Sequence, residues 1–249
     1  MHYVEHPPAP ALREVVRCLW SHEGVTGSVP FHVLPDGCLD LVWDGVALKV
    51  AGPDTRPFLT TLPEGYAITG LRFHPGVAPT ALGVPASALR DSRVALEDLW
   101  GVEAVRLAEA LGEAPSTDAK EALLASALAR RVVSAPAPDR LVKALVGRFM
   151  RVVGEASAPP PSVELLADEL GVSSRQLLRR CTDAVGYGPK VLLRVLRFQE
   201  FLRQARAQPA LPLARLAVSC GYTDQAHLAH EAMALGGKTP GALRGVVDG

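Results

Sequence analysis

The sequence predicts an α+β protein: a small β-rich N-terminal domain with appended helices over residues 1–135, then an all-α C-terminal domain over residues 136–249. Three observations carry this expectation. The hydrophobic spacing changes from short runs between turns in residues 1–75 to helical periodicity after Pro85. Two segments rich in Pro, Ala and Ser, 134–138 and 154–162, punctuate the second half, because proline lacks a donor and disfavours helix at the residue before it. A chain of 249 residues with 48% apolar and 21% charged residues has material for two domains with real cores.

In chain order, the runs Phe31–Leu34, Leu39–Trp43 and Ala67–Phe73 read as strands, separated by Pro-Asp-Gly, Asp-Gly and Pro-Glu-Gly turns. Leu96–Leu111 and Ala119–Val133 read as Ala/Leu-rich helices with charged outer faces. The domain boundary falls between Ser134 and Asp139. Asp139 is an N-cap candidate for a helix to Val153, whose stripe Leu141, Val142, Leu145, Val146, Phe149 and Val152 follows helical spacing.

Composition excludes several classes. No apolar stretch reaches membrane-spanning length, so no membrane partner is expected. The start Met1–Pro7 lacks the basic residues and apolar run of a signal peptide, so the expected location is the cytoplasm. Cys18, Cys38, Cys181 and Cys220 include no CxxC pair and read as reduced, packed thiols. Net charge is zero overall but unevenly divided. Residues 1–138 hold 11 Lys+Arg against 16 Asp+Glu, whereas residues 139–249 hold 15 against 10. The balance of −5 against +5 points to the second half as the one that meets phosphate.

That half contains an imperfect internal repeat. Ala167 and Gly171 recur fifty residues on as Ala217 and Gly221, and Leu177, Gly186 and Pro189 recur fifty-one residues on as Leu228, Gly237 and Pro240. Each copy meets the needs of a helix-turn-helix. The alanine lets two helices cross closely, the following glycine accepts a left-handed conformation, and Ser173 or Ser174, then Thr223 or Asp224, caps the second helix. Between the copies, Pro189–Arg206 reads as one long amphipathic helix.

With these motifs in view, residues 139–249 resemble the DNA-binding domain of AraC-type (AraC/XylS) regulators, most specifically through Gly221–Leu228 and Gly237–Pro240. Residues 1–133 resemble a sensor-like domain often joined to that module, through Leu34–Trp43, Ala51–Thr55 and Gly70–Gly76. The resemblance implies a transcription regulator bound to double-stranded DNA, with a small-molecule effector or a second copy of the chain as further partners. It also places Arg175, Leu178 and Arg179 toward the major groove. Arginine suits bidentate contact with guanine and a leucine suits a thymine methyl. A solvated face or phosphate contact is the plainer alternative for the arginines. Ser174, Arg180 and Lys190 complete the candidate set of the first unit.

The second unit departs from the family pattern. Its helix, Asp224–Leu235, carries His230, Ala232, Met233 and Ala234 where such helices usually have an Arg, a buried Phe and two basic residues. Gln225, His227 and His230 remain as candidate DNA contacts, and the unit reads as the weaker one. The alternative function is a regulatory interaction protein that has lost independent DNA binding.

For the N-terminal half, Trp20, Trp43, Arg72 and Phe73 are candidate effector-binding residues, an aromatic pocket with one cationic anchor for an acidic ligand. Plain core is the competing reading of the aromatics. Asp36, Asp40, Asp44 and Asp54 look like a carboxylate cluster, but Asp36-Gly37 and Asp44-Gly45 are turn dipeptides. His32 and Cys38 are too few to form a closed metal site. No catalytic or nucleotide-binding motif is present, so neither enzyme activity nor cofactor nor metal is expected; Cys38 as an alkyl acceptor is the remaining enzymatic option.

Overall fold

The computed structural model describes residues 2–24, 29–155 and 161–244. The Pro-rich segment at 154–162 thus falls largely outside the described residues. Among the described residues eight strands come first, interrupted by a few short helices. They are β1 (His2–His6), β2 (Val16–Glu23), β3 (Val29–Val33), β4 (Asp40–Trp43), β5 (Leu48–Ala51), β6 (Phe58–Leu62), β7 (Ala67–Phe73) and, after helix α1 (Ala78–Leu82), β8 (Arg93–Ala95). Six form one antiparallel sheet in the order β1-β2-β7-β4-β5-β8, and β3 pairs β6 in a separate two-stranded ribbon. Helices α2 (Glu97–Trp100), α3 (Val102–Glu113) and α4 (Thr117–Ser134) follow, and α4 lies against β7 and β2.

The sequence reading differs at two points here. A strand lies beyond Pro85, because Arg93–Ala95 adds to β5 at the sheet edge. The helix read as Leu96–Leu111 is two helices, broken where Gly101 turns the backbone to φ 59° and ψ −137°. The alternation along β7 decides which side chains meet the core: Leu71 and Phe73 face a cluster with Leu41, Val50, Leu82, Leu124 and Leu128, and Arg72 faces the other way.

The remaining helices are α5 (Arg140–Glu155), α6 (Val163–Glu169), α7 (Ser174–Val185), α8 (Pro189–Ala207), α9 (Leu213–Ser219), α10 (Gln225–Gly236) and α11 (Pro240–Leu243). Their shared cluster centres on α8, which buries Leu192, Val195, Phe198, Phe201, Leu202 and Ala205. Burying a Leu or Phe side chain contributes about 1.5–3 kcal/mol, so α8 anchors this half. Leu34, just past β3, is buried in the same cluster, so the β-rich part reaches into the helical part.

The start of α5 is held by a side chain from α7. Asp139 accepts the backbone N–H of Leu141 and Val142, capping α5. The same carboxylate receives Arg180 from α7 in a two-pronged pair, Nε at 2.7 Å and Nη2 at 2.6 Å. The hydrogen bond from Arg180 holds the Asp139 carboxyl below the usual carboxylate range.

Replacing Asp139 with Ala removes a cap and leaves Arg180 without its carboxylate. It is expected to cost about 0.5–2 kcal/mol through the cap alone, measured as a lowered urea midpoint. A carboxyl whose folded pKa is depressed contributes stability that is fully present above its unfolded value of about 3.9 and is lost as pH falls through the lower folded value. Asp139→Asn should therefore flatten the acid limb of stability against pH while leaving the alkaline limb unchanged.

Candidate nucleic-acid interface

Each unit is built locally by its own caps. In the first, Ser162 caps α6 and Ser173 caps α7 in a reciprocal box: Gln176 N–H donates to Ser173 Oγ at 3.3 Å, and Ser173 N–H donates to Gln176 Oε1 at 2.9 Å. In the second, Asp224 Oδ1 accepts the His227 N–H at 2.7 Å. Gly171 (φ 68°) and Gly221 (φ 75°) take the left-handed turn between the helices, which an L side chain enters only with strain. Ala167 and Ala217 are fully buried where the helices cross.

On α7, Arg175, Leu178 and Arg179 are exposed, and Leu178 keeps 50% of its surface in solvent. The i, i+3 and i+4 spacing gives them one face. Lys190 is exposed at the start of α8, and Ser174 is half-buried as the first residue of α7. Arg180 stands apart, turned to Asp139 across the junction. Its guanidinium is engaged by Asp139 while the side chain keeps 39% of its surface in solvent. A partner 41 residues upstream was not legible from spacing along one helix.

On α10, Gln225 and His230 are exposed and His227 is half-buried. His227 folds back onto Thr223, with Nδ1 3.4 Å from its backbone N and its Oγ1, and its ring lies edge-on to Tyr222 at 5.3 Å. Ala232 is fully buried. One turn further on, α10 packs closely: a Cβ on Gly236 would meet Phe198 and Leu243 at 2.9–3.2 Å. In the first unit Cys181 is likewise buried, its S–H donating to the Tyr187 carbonyl at 3.2 Å. The sequence reading missed one pair here: Arg194 Nε of α8 donates to Glu231 Oε2 of α10 at 2.8 Å, fastening the linking helix to the second unit through a carboxylate whose side chain is only 8% exposed.

The candidate effector residues do not come together. Trp43 and Phe73 are buried in the N-terminal core, and this overturns their reading as pocket walls. Trp20 and Arg72 share the opposite sheet face, where Trp20 Nε1 donates to Asp40 at 3.1 Å and Arg72 donates to both Asp40 oxygens at 3.0–3.2 Å. Asp36 lies 3.3 Å from Arg72 as well, so this cation is already matched by acids and is no open anchor. Burial raises the Asp40 carboxyl against the downward pull of Arg72 and Trp20.

A cavity of about 610 Å³ does open beside Arg72, between the two parts of the chain. Arg17, Cys38, Asp40 and Asp54 line it on one side, and Met150, Leu196, Gln199 and Arg203 on the other. Trp20, Trp43 and Phe73 are not among its walls. Asp36 and Asp44 hold the turns expected of them, accepting the backbone N–H of Cys38 and of Val46 and Ala47. Burial pushes the Cys38 thiol well up, and those of Cys18 and Cys181 to about 12. Thiols held protonated in this way are poor nucleophiles. Among the described residues, no three His, Cys, Asp or Glu side chains are gathered as a metal ion would need, and no helix is long and apolar enough to cross a membrane.

Two paired-helix units on one linking helix, each with an accessible second helix, define a tandem helix-turn-helix protein. Residues 166–245 match the family described as a helix-turn-helix domain. A helix-turn-helix domain is a module whose second helix suits the major groove of DNA. Residues 4–95 match a domain of unknown function, DUF6597. No curated protein matches the sequence. Among solved structures, the C-terminal domain of AraT, a response regulator from Geobacillus stearothermophilus, is similar at 20% identity over 43% of this chain and 84% of that one, with a TM-score of 0.38. ToxT from Vibrio cholerae is similar at 10% identity over 98% of both chains, with a TM-score of 0.47.

Arg194→Ala leaves the Glu231 carboxylate enclosed without its main partner. Removing one side of such a pair costs about 1–3 kcal/mol, so the urea midpoint should fall. Arg194→Lys, which keeps the charge, should recover part of that loss.

Proposed function

We propose that the chain binds specific double-stranded DNA chiefly through its first unit, and that the N-terminal part regulates this binding rather than catalysing a reaction. The observation that carries the reading is the contrast between the two accessible helices. The exposed face of α7 offers Arg175, Leu178 and Arg179, with Lys190 beside it, whereas α10 offers Gln225, His230 and Met233. Counterion release follows the number of cations set against phosphates, and the arginines and lysine named here all belong to the first face. Ser174 and His227 are second-rank contacts, since both side chains are half-buried.

The division into a regulatory part, 1–135, and a DNA-binding part, 136–249, belongs to the same proposal. The cavity between the parts supports effector sensing there, since a ligand in it touches both. Its lining mixes arginines with carboxylates, so the fitting ligand is polar rather than a simple acid. The buried, protonated Cys38 and the turn roles of Asp36 and Asp44 weigh against catalysis.

Arg179→Ala should weaken binding to DNA selected by the intact chain by about 1–3 kcal/mol and relax preference at one base position. His230→Ala should cost much less, and the slope of affinity against salt should change mainly with Arg175, Arg179 or Lys190. Titrations at several salt concentrations check this. Equal losses from Arg179→Ala and His230→Ala, or no sequence preference by the parent chain, would refute it.

A further inference from the structure

Gly186 and Gly237 occupy the same place in the two units. Each ends the second helix of its unit with a left-handed residue, φ 96° and φ 65°. Both are packed against one short segment of the N-terminal part. A Cβ on Gly186 would stand 2.5 Å from Pro53 Cγ and 3.2 Å from the Ala86 carbonyl oxygen, and a Cβ on Gly237 would stand 3.2 Å from Pro57 Cγ. Two prolines four residues apart thus touch the ends of both DNA-facing helices.

The segment between them is fastened along its length. Pro53 O accepts the Asp91 N–H at 3.2 Å. Asp54 holds Arg93 through two hydrogen bonds of 2.7 and 2.9 Å. Thr55 gives its N–H, at 2.7 Å, and its hydroxyl to the Asp91 carboxylate. Asp91 is the only non-glycine among the described residues with a positive φ, 54°, a strained conformation that persists where surroundings over-determine it. The Arg93 guanidinium lies 4.1 Å above the Phe58 ring, closing the far end. Proline at both contact points removes backbone freedom there.

We infer that residues 53–57 act as a rigid strut that fixes the spacing and angle of α7 and α10, so that the N-terminal part sets the geometry in which the two units meet DNA. The inference rests on both units facing DNA, but it concerns their relative placement and not which one dominates. Helix α8 links the units on one side. The strut closes a second path on the other, through the N-terminal part. Because Gly52 and Asp54 also line the cavity between the parts, the strut stands where a ligand would act on it.

The test is a distance measurement on the full chain without DNA. Cysteines introduced at the exposed positions Asp183 on α7 and Met233 on α10 carry spin labels, while the four native thiols are buried. Pulsed electron resonance then reads the distance between the helices. The expected result is one narrow distribution in the parent chain, broadened or shifted in Asp91→Gly, which removes the carboxylate and suits the positive φ, and in Pro57→Ala, which trims the ring against Gly237. Thermal unfolding shows whether each variant is folded. If Asp91→Gly is not, the half-buried Pro57 supplies the decisive variant. An unchanged distribution in the folded variants overturns the strut. That result is independent of DNA affinity, so it fails separately from the unequal roles of the two units.

Discussion

Everything in the helical half depends on enclosing α8. A helix that buries Leu192, Val195, Leu196, Phe198, Phe201 and Leu202 around much of its circumference has no stable existence alone and must be covered from several sides. α5 and, from the first unit, α7 cover it on one side, and α9 and α10 of the second unit cover it on the other. The N-terminal part supplies Leu34 to the same cluster and the Pro35 carbonyl, which accepts from Gln199 at 2.7 Å. The orientation of the two units follows from which faces of α8 they occupy. Arg194 lies where the cover of α8 is incomplete and pairs with Glu231, whereas Arg197 is buried over the Tyr222 ring.

What the sequence made legible was local. Caps, turn glycines and the small residue at each helix crossing act within one or two turns of chain, and the repeat shows them twice. Asp139 as a cap, Ser173 before α7 and Gly171 in its turn were readable for that reason. The exposed arginines Arg175 and Arg179 followed from the same periodicity. Pairings between distant segments left no such signal. Nothing in a single sequence joins Arg180 to Asp139, Arg194 to Glu231, or Gly186 to Pro53. The edge strand Arg93–Ala95 was hidden because three residues are too few to show an alternation.

Two of the effector candidates, Trp43 and Phe73, fall in the core for a specific physical reason, whereas Arg72 lines the cavity. Aromatic side chains near an arginine look like a pocket when read linearly, but successive strand residues point to opposite faces. Arg72 and Phe73 are neighbours in sequence and separated by the sheet in space. In register, Cys18, Arg72 and Asp40 lie side by side across three strands, so Arg72 meets a carboxylate on its own face. The Asp40–Arg72–Asp36 group is a mutually paired polar layer in the cavity wall, and polar groups of this kind are held mainly by their partners.

The order of the large sheet has a bearing on how the chain behaves at high concentration. Its two open margins are β1 and β8. An unpaired strand is a template on which another molecule can add its own, and proteins restrain this with short or charged margins. β8 offers three residues, beginning with an arginine already committed to Asp54, and β1 places His2 and Glu5 in solvent. Neither margin gives an incoming strand a long, flat, apolar register. The sheet is thereby poorly suited to edge-to-edge polymerisation, a property separate from any encounter with DNA.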